Sequence, residues 1–304
     1  MKYVQNTNEY VIRLQDNQKH LYHIDINENV LNDFLAKVKD INVQRIEYVP
    51  FMRFFIASEL RNLIGEDFHK TLKGILQERE TGGFTLGVEH VTNDKNDYLK
   101  ISTAITHLVG ISNFDSMTGT YYASFDVTHS DDSDTYLRQP YRTLEFHTDG
   151  TFVKQRTDWL LMMKWEERNA NGGDSRLLHL DDWDEMDKFR NHPLAGHKFK
   201  FSYAHKQSKK TEDDVYKTTF FEMNNATCIN FNDQATHPET VEQGVYLKEL
   251  SDSMENSPGV QTLPLPEGRL VMLNNHFWLH GREAFKEDQG LFRQLMRQRG
   301  SFGN

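Results

Sequence analysis

Two spacings of apolar residues divide the chain. From about residue 28 to 80 they recur at helical intervals, as in FMRFFIASELRNLI (51–64), where the pattern predicts that Phe51, Phe54, Phe55, Leu60 and Leu63 share one face. After the turn signal TGG at 81–83 the texture changes. Short runs, FTLGV, YYASFDV, RTLEF, WLLMMKW and SRLLHL, alternate with Asp, Asn, Gly and Ser clusters and predict strands. A helix is predicted near YLKISTAITHLVG (98–110) and another at LDDWDEMDKFRNH after residue 180. Strands resume in HKFKFSY, KTTFFEM, ATCINF, GRLVMLNN and LFRQLMRQRG. A helical start followed by many short strands predicts a mainly β protein, an antiparallel sandwich or jelly roll with helices packed outside. No repeat at solenoid periods is present.

A chain of 304 residues can bury a large core as one domain or two. No Gly/Ser- or Pro-rich linker interrupts it, so the expectation is a single domain over 1–304, with a mostly helical part at 1–80 packed on a core with insertions at 81–304. A net charge of −10 argues against nucleic acid, whose phosphates demand clustered Lys and Arg. The longest apolar run, WLLMM at 159–163, is far short of the roughly 20 residues of a membrane span, and MKYVQNTNEY lacks a signal-peptide core. The expected location is cytoplasmic, with no membrane partner. A single cysteine, Cys228, excludes an intrachain disulfide and any multi-cysteine metal site, so a metal would have to be held by His and carboxylate.

His-x-Asp occurs four times, at His23 with Asp25, His129 with Asp131, His147 with Asp149, and His179 with Asp181. Two His and one carboxylate on one face of an ion leave positions open for an oxidant and a co-substrate, the pattern of non-haem Fe(II) oxygenases. His23 precedes all the predicted strands and suits a surface turn or edge strand. His129 lies in the polar stretch THSDDSD. After His179, Asp181 or Asp182 reads as a helix N-cap. HTDGTF (147–152) differs, because the apolar run TLEF precedes it and ample sheet follows. Its partner is sought in NNHFWLHGREAF, where His280 begins a predicted turn at a strand end, while His276 sits in an aromatic cluster and suits a packed, hydrogen-bonded role.

If FRQLMRQRG is a strand, alternation puts Arg293, Leu295, Arg297 and Arg299 on one face. Three guanidinium groups together suit carboxylate ligands, which Arg binds in a planar two-pronged contact while staying charged; the plainer reading is an edge strand guarded against aggregation. Asp174, Arg282 and Arg142 lie near these motifs, with no role assigned.

The combination of HTD at 147–149, GGDS at 172–175, LHGR at 279–282 and RQLMR at 293–297 resembles the Fe(II)/2-oxoglutarate-dependent oxygenases of the clavaminate synthase and taurine dioxygenase type. More narrowly, LHGRE, LMRQRG, the length and the acidic charge are similar to the carbon-starvation-induced glutarate 2-hydroxylase family. The resemblance runs through most of the chain, although the helical N-terminus carries no motif. It implies a double-stranded β-helix (jelly roll) core; His147, Asp149 and His280 as iron ligands; and Arg293 with Ser175 binding 2-oxoglutarate, Ser175 standing where relatives place a Thr. It further implies Arg297 for the acidic end of the substrate, with Arg299 able to exchange roles with either Arg. The implied reaction consumes O2 and 2-oxoglutarate, releases succinate and CO2, and hydroxylates glutarate at C2; the implied assembly is a homotetramer. Another small acid as substrate, a metal-dependent hydrolase, and a non-catalytic jelly roll that captures an organic acid remain open, although the hydrolase leaves the Arg face unexplained.

Overall fold

In the computed structural model, residues 2–115, 118–129, 139–202 and 214–303 are described. The chain opens with strands rather than helix: β1 (Gln5–Asn6), β2 (Tyr10–Leu14) and β3 (Leu21–Ile26). Asn17, at a φ of 59°, turns the chain between β2 and β3, a conformation Asn tolerates better than most residues. Helices then fill residues 28–77 as the periodicity predicts: α1 (Glu28–Val38), α2 (Val43–Tyr48), α3 (Pro50–Ile64) and α4 (Asp67–Gln77). Asn27 and Asn42 cap α1 and α2 by accepting from the backbone N–H two residues on, and Pro50 occupies the first turn of α3, where its missing N–H costs nothing.

The predicted face of α3 is corrected. Met52, Ile56, Ala57, Leu60 and Ile64 are buried, whereas Phe51, Phe54 and Phe55 are exposed. The helix carries two adjacent apolar rows, and the one starting at Met52 packs on the core.

The remainder runs β4 (Gly83–Gly87), α5 (Lys95–Val109), β5 (Gly110–Ser112), β6 (Tyr122–Thr128), β7 (Leu144–His147), β8 (Trp159–Arg168), β9 (Ser175–His179), a 3-10 turn (Leu180–Asp182), α6 (Met186–Arg190), β10 (Lys198–Phe201), β11 (Val215–Thr218), β12 (Phe220–Met223), β13 (Ala226–Ile229), β14 (Thr236–His237), α7 (Val241–Glu255), β15 (Gln261–Leu263), β16 (Arg269–Asn274), β17 (Trp278–Arg282) and β18 (Phe292–Phe302). KTTFFEM, expected as one strand, is split between β11 and β12 at the buried Thr219. The unpredicted α7 buries Gln243, Tyr246, Leu247, Leu250 and Met254 at helical spacing behind the cap Thr240.

A large sheet has the order β1-β2-β3-β4-β16-β8-β18, with β5 and β6 sharing the far edge of β18. Only β3–β4 is parallel within it. A smaller sheet, β15-β9-β17-β7, supplies the second wall. Alternation along β8 shows why WLLMM is apolar throughout: Leu160 and Met162 join the core that includes Phe146, Leu177 and Leu279 of the small sheet, while Trp159, Leu161 and Met163 join the core formed with the helices. A strand buried on both faces cannot alternate in polarity, and each large side chain so buried contributes roughly 1.5–3 kcal/mol. The core is the predicted double-stranded β-helix, with helices on the outer face of its large sheet. Among the described residues no helix is long and apolar enough to cross a membrane.

Three histidine environments depart from expectation. His23 lies inside the large sheet on β3, 3% exposed, with Nδ1 2.7 Å from Thr85 Oγ1 and Nε2 2.8 Å from Asp25 Oδ1. It is neither in a turn nor on an edge strand, because β2 and β4 flank it. At the fourth pair the histidine itself is the cap: Asp181 N donates to His179 Nδ1 at 3.1 Å. His280 sits mid-strand on β17 rather than in a turn. His129 follows β6 and lies 2.6 Å from Tyr141 Oη; Asp131 lies outside the described residues.

Candidate metal and carboxylate site

Strand β7 ends at His147, and β17 runs antiparallel beside it with His280 as the direct partner of His147. The ring centroids are 4.2 Å apart. The pairing shifts between His280 and Arg282, where a Cβ on Gly281 would run into the Leu144 carbonyl; a side chain there would push β7 away. Asp149 follows two residues after His147 and is fixed by Asn275, whose Oδ1 accepts from Asp149 N at 2.9 Å and whose Nδ2 donates to Asp149 O at 2.9 Å and Thr157 O at 3.0 Å.

The three side chains converge. Asp149 Oδ1 is 3.9 Å from His147 Nε2 and 4.0 Å from His280 Nε2, and among the described residues these three form the one group of His, Cys, Asp or Glu close enough to hold a metal ion. His147 Nδ1 donates to the Glu145 carbonyl at 2.9 Å, which orients Nε2 toward Asp149. Burial first, and then the neighbouring His147, lower the His280 pKa to about 3, so its lone pair is available at neutral pH. Burial would raise the Asp149 pKa, but Arg297, His280, His147 and Arg299 together outweigh it and hold the carboxyl well below the usual range. Two imidazoles and one carboxylate, all buried, fit a first-row divalent ion with open coordination positions. The other expected histidine role also holds: His276 is buried, with Nε2 2.9 Å from Asp158 Oδ1.

Beside the triad lies a cavity of about 670 Å³, mouth included, with walls from both sheets. Phe125, Val127, Leu144, Met162 and Leu295 make it largely apolar, and Ser175, Arg282, Arg293 and Arg297 add polar groups. The alternation expected for β18 is present: Arg293, Leu295 and Arg297 line the cavity, while Met296 packs among the helices and Gln298 Nε2 donates to Ser102 and Thr103 of α5. Arg297 Nη1 is 3.1 Å from Asp149 Oδ2, and its Nη2 is 3.0 Å from Asp115 Oδ2. Arg299 faces the same way but does not line the cavity; it is 5% exposed, 3.7 Å from Asp115.

At the other end, Arg293 is 4% exposed and donates to the Gly173 carbonyl, with its guanidinium 5.6 Å from the Phe285 ring centroid. Arg282 flanks the same ring at 5.2 Å and donates to the Gln139 carbonyl at 2.6 Å. Burial, and secondarily Arg293, lower the Arg282 pKa to about 10, which leaves it charged at neutral pH. Ser175 is the strand partner of Arg282. Sequence reasoning assigned no role to Arg282 and missed Asp115 and Asn275. Asn275 had only a faint signal, a polar pair after the apolar run of β16; Asp115 had none.

The family model described as CsiD matches residues 10–302. The glutarate 2-hydroxylase of Citrobacter koseri is 42% identical over 272 residues, which cover 88% of this chain and 83% of that protein. Among solved structures, an asparagine oxygenase in complex with Fe(II), 2S,3S-3-hydroxyasparagine and succinate superposes with a TM-score of 0.71 at 14% identity, over 92% of this chain and 93% of the other. The non-heme iron oxygenase OrfP in complex with Fe and alpha-ketoglutaric acid gives 0.67 at 11% identity, over 92% and 94%. At such low identity these two share the fold. The family match extends across nearly the whole chain and is joined by a close curated relative, so the chain belongs to the CsiD family.

Proposed function

We propose that the protein is an Fe(II)- and 2-oxoglutarate-dependent dioxygenase that hydroxylates glutarate at C2, giving 2-hydroxyglutarate with release of succinate and CO2. The observation that carries this reading is the meeting of His147, Asp149 and His280 at the wall of an apolar cavity that also holds Arg282, Arg293 and Arg297. The identity to a glutarate 2-hydroxylase supports the substrate. When bound, iron supplies the coupled chemistry: oxidative decarboxylation of 2-oxoglutarate by O2 and transfer of one oxygen atom to a C–H bond.

The side chains do the holding and aiming. His147, Asp149 and His280 would bind the iron. Arg293 and Ser175 would take the distal carboxylate of 2-oxoglutarate, and Arg297, backed by Arg299, one carboxylate of glutarate. A guanidinium removed from water binds a carboxylate far more firmly than one on the surface. The apolar walls exclude water around the reacting carbon, and two anchored carboxylates leave little freedom over which carbon approaches the metal. The co-substrate and substrate are both small carboxylic acids, in keeping with the cationic lining.

The same reading includes a cytoplasmic location and a homo-oligomer, a tetramer by family resemblance. Tyr48 (72% exposed) and Phe51 (68%) stand with Phe54 and Phe55 on α2 and α3, a concentration of exposed aromatic surface suited to subunit contact. Anaerobic reconstitution with Fe(II), followed by air, 2-oxoglutarate and a panel of small acids, tests the reaction. Succinate matched one to one by glutarate gaining a single oxygen is the expected result. Succinate with a different acid oxidised would reassign the substrate, and no succinate with any acid would end the oxygenase reading.

A further inference from the structure

Asp115 lies between β5 and β6 and is 2% exposed. A carboxylate so buried is costly unless paired. Its Oδ2 accepts from Arg297 Nη2 at 3.0 Å and lies 3.7 Å from Arg299 Nη2. The backbone holds it in place: Asp115 N donates to Thr120 O at 2.7 Å, its carbonyl accepts from Gly119 N at 2.8 Å, and Asn113 N donates to Arg299 O at 2.8 Å. Asn113 Nδ2 also donates to the Arg156 carbonyl at 3.1 Å, tying this connection to the segment after the HTD turn.

One guanidinium thus bridges two buried carboxylates: Arg297 is gripped at Nη2 by Asp115, and its Nη1 stands 3.1 Å from Asp149 Oδ2. Asp149 belongs to the candidate metal set, so a metal ion and Arg297 compete for the same carboxylate. That ion pair is already in contact, and the more of its charge Arg297 commits to Asp149, the weaker the carboxylate becomes as a metal ligand. The charge on Asp115 draws the guanidinium the other way and also balances Arg299.

We propose that Asp115 is a positioning residue: by gripping the far amino group of Arg297, it shares that guanidinium with Asp149, so that the ion pair does not tie up the Asp149 carboxylate, and fixes where a substrate carboxylate docks. It thereby governs divalent-metal affinity and, through the placement of Arg297, the fidelity of oxidation. The second consequence rests on the proposed function; the first does not.

Mn(II) binding, measured by titration without co-substrate, separates the two. Asp115→Asn is expected to bind Mn(II) about 5- to 10-fold more weakly than the unaltered protein, the scale of coupling between neighbouring charges. In an Arg297→Gln background the same change is expected to have no effect on Mn(II) affinity. Unchanged Mn(II) affinity in D115N, or an equal loss with and without Arg297, would overturn the proposal.

In turnover, D115N is expected to raise the KM for glutarate and to release more succinate than hydroxylated acid, with the KM for 2-oxoglutarate unchanged. Asp115→Glu keeps the charge and so guards against a folding defect. It should retain Mn(II) affinity yet show the same excess of succinate, because its carboxylate is displaced by one methylene; fully coupled turnover in D115E would count against the proposal. If the unaltered protein oxidises no glutarate, the functional reading fails while the Mn(II) comparison still judges Asp115.

Discussion

His147 and His280 are directly paired across the antiparallel neighbours β7 and β17, with ring centroids 4.2 Å apart. Side chains in a strand alternate faces, so a slip of one residue in this pairing would turn one imidazole away from the other. The candidate metal site is therefore a consequence of strand register, and its loss should leave the fold intact. His280→Ala and His147→Ala are each expected to lower Mn(II) or Fe(II) affinity by more than the roughly 10- to 100-fold typical of residues that only support a ligand, with an unchanged far-UV circular dichroism spectrum. Either variant oxidising substrate at the normal rate would remove that residue from the metal set.

The two ends of the cavity should separate kinetically. Arg293→Ala is expected to raise the KM for 2-oxoglutarate, and Arg297→Ala the KM for glutarate, each by about 10- to 100-fold, as befits loss of a charged hydrogen bond of roughly 1.5–3 kcal/mol. Steady-state titration of each acid at saturating levels of the other measures this. If R293A instead weakens glutarate and spares 2-oxoglutarate, the two assignments exchange.

Gly173 has a φ of 73°, and a Cβ built on it would overlap the ring of Phe285, which lies beneath both Arg293 and Arg282. Gly173→Ala combines backbone strain with displacement of that ring. The expected cost is about 1–3 kcal/mol in urea unfolding, accompanied by weaker 2-oxoglutarate binding. An unaltered unfolding midpoint would show that Phe285 has room to yield.

His107 is buried on α5, edge-on to Phe54 at 5.1 Å, and its Nδ1 donates to the Thr103 carbonyl at 3.0 Å. Burial, reinforced by Arg53 and opposed by the Thr103 carbonyl, lowers its pKa to about 4. The unfolded chain, with a His pKa of about 6.5, takes up this proton first as pH falls. The stabilisation is therefore complete above about pH 6.5 and is lost progressively toward pH 4. Melting temperatures between pH 7.5 and 4.5 should decline less steeply in His107→Gln than in the unaltered protein; parallel curves would exclude His107 as a contributor.

Local pattern carried much of this protein. The alternation in FRQLMRQRG placed Arg293, Leu295 and Arg297 on the cavity face because a strand has a period of two wherever it lies. Helical spacing marked residues 28–77, and caps such as Asn27 and Asn42 act within two residues of themselves. The surroundings of the four His-x-Asp pairs singled out HTDGTF, where the apolar run TLEF precedes the histidine. Yet which row of α3 is buried was undetermined, since Met52 and Phe55 are both apolar and only contact with neighbouring elements distinguishes them.

By itself, then, the sequence determined the elements with clear periodicity, the mainly β class and the residue types able to bind metal and carboxylates, all properties of neighbours along the chain. Tertiary structure decided the pairing of β7 with β17 that brings His280 to His147, the placement of His23 inside the sheet between β2 and β4, and the grips of Asn275 on Asp149 and Asp115 on Arg297. Those contacts join residues more than a hundred positions apart in several cases, and the free energy that selects them comes from packing and pairing of whole sheets, which no short stretch of sequence contains.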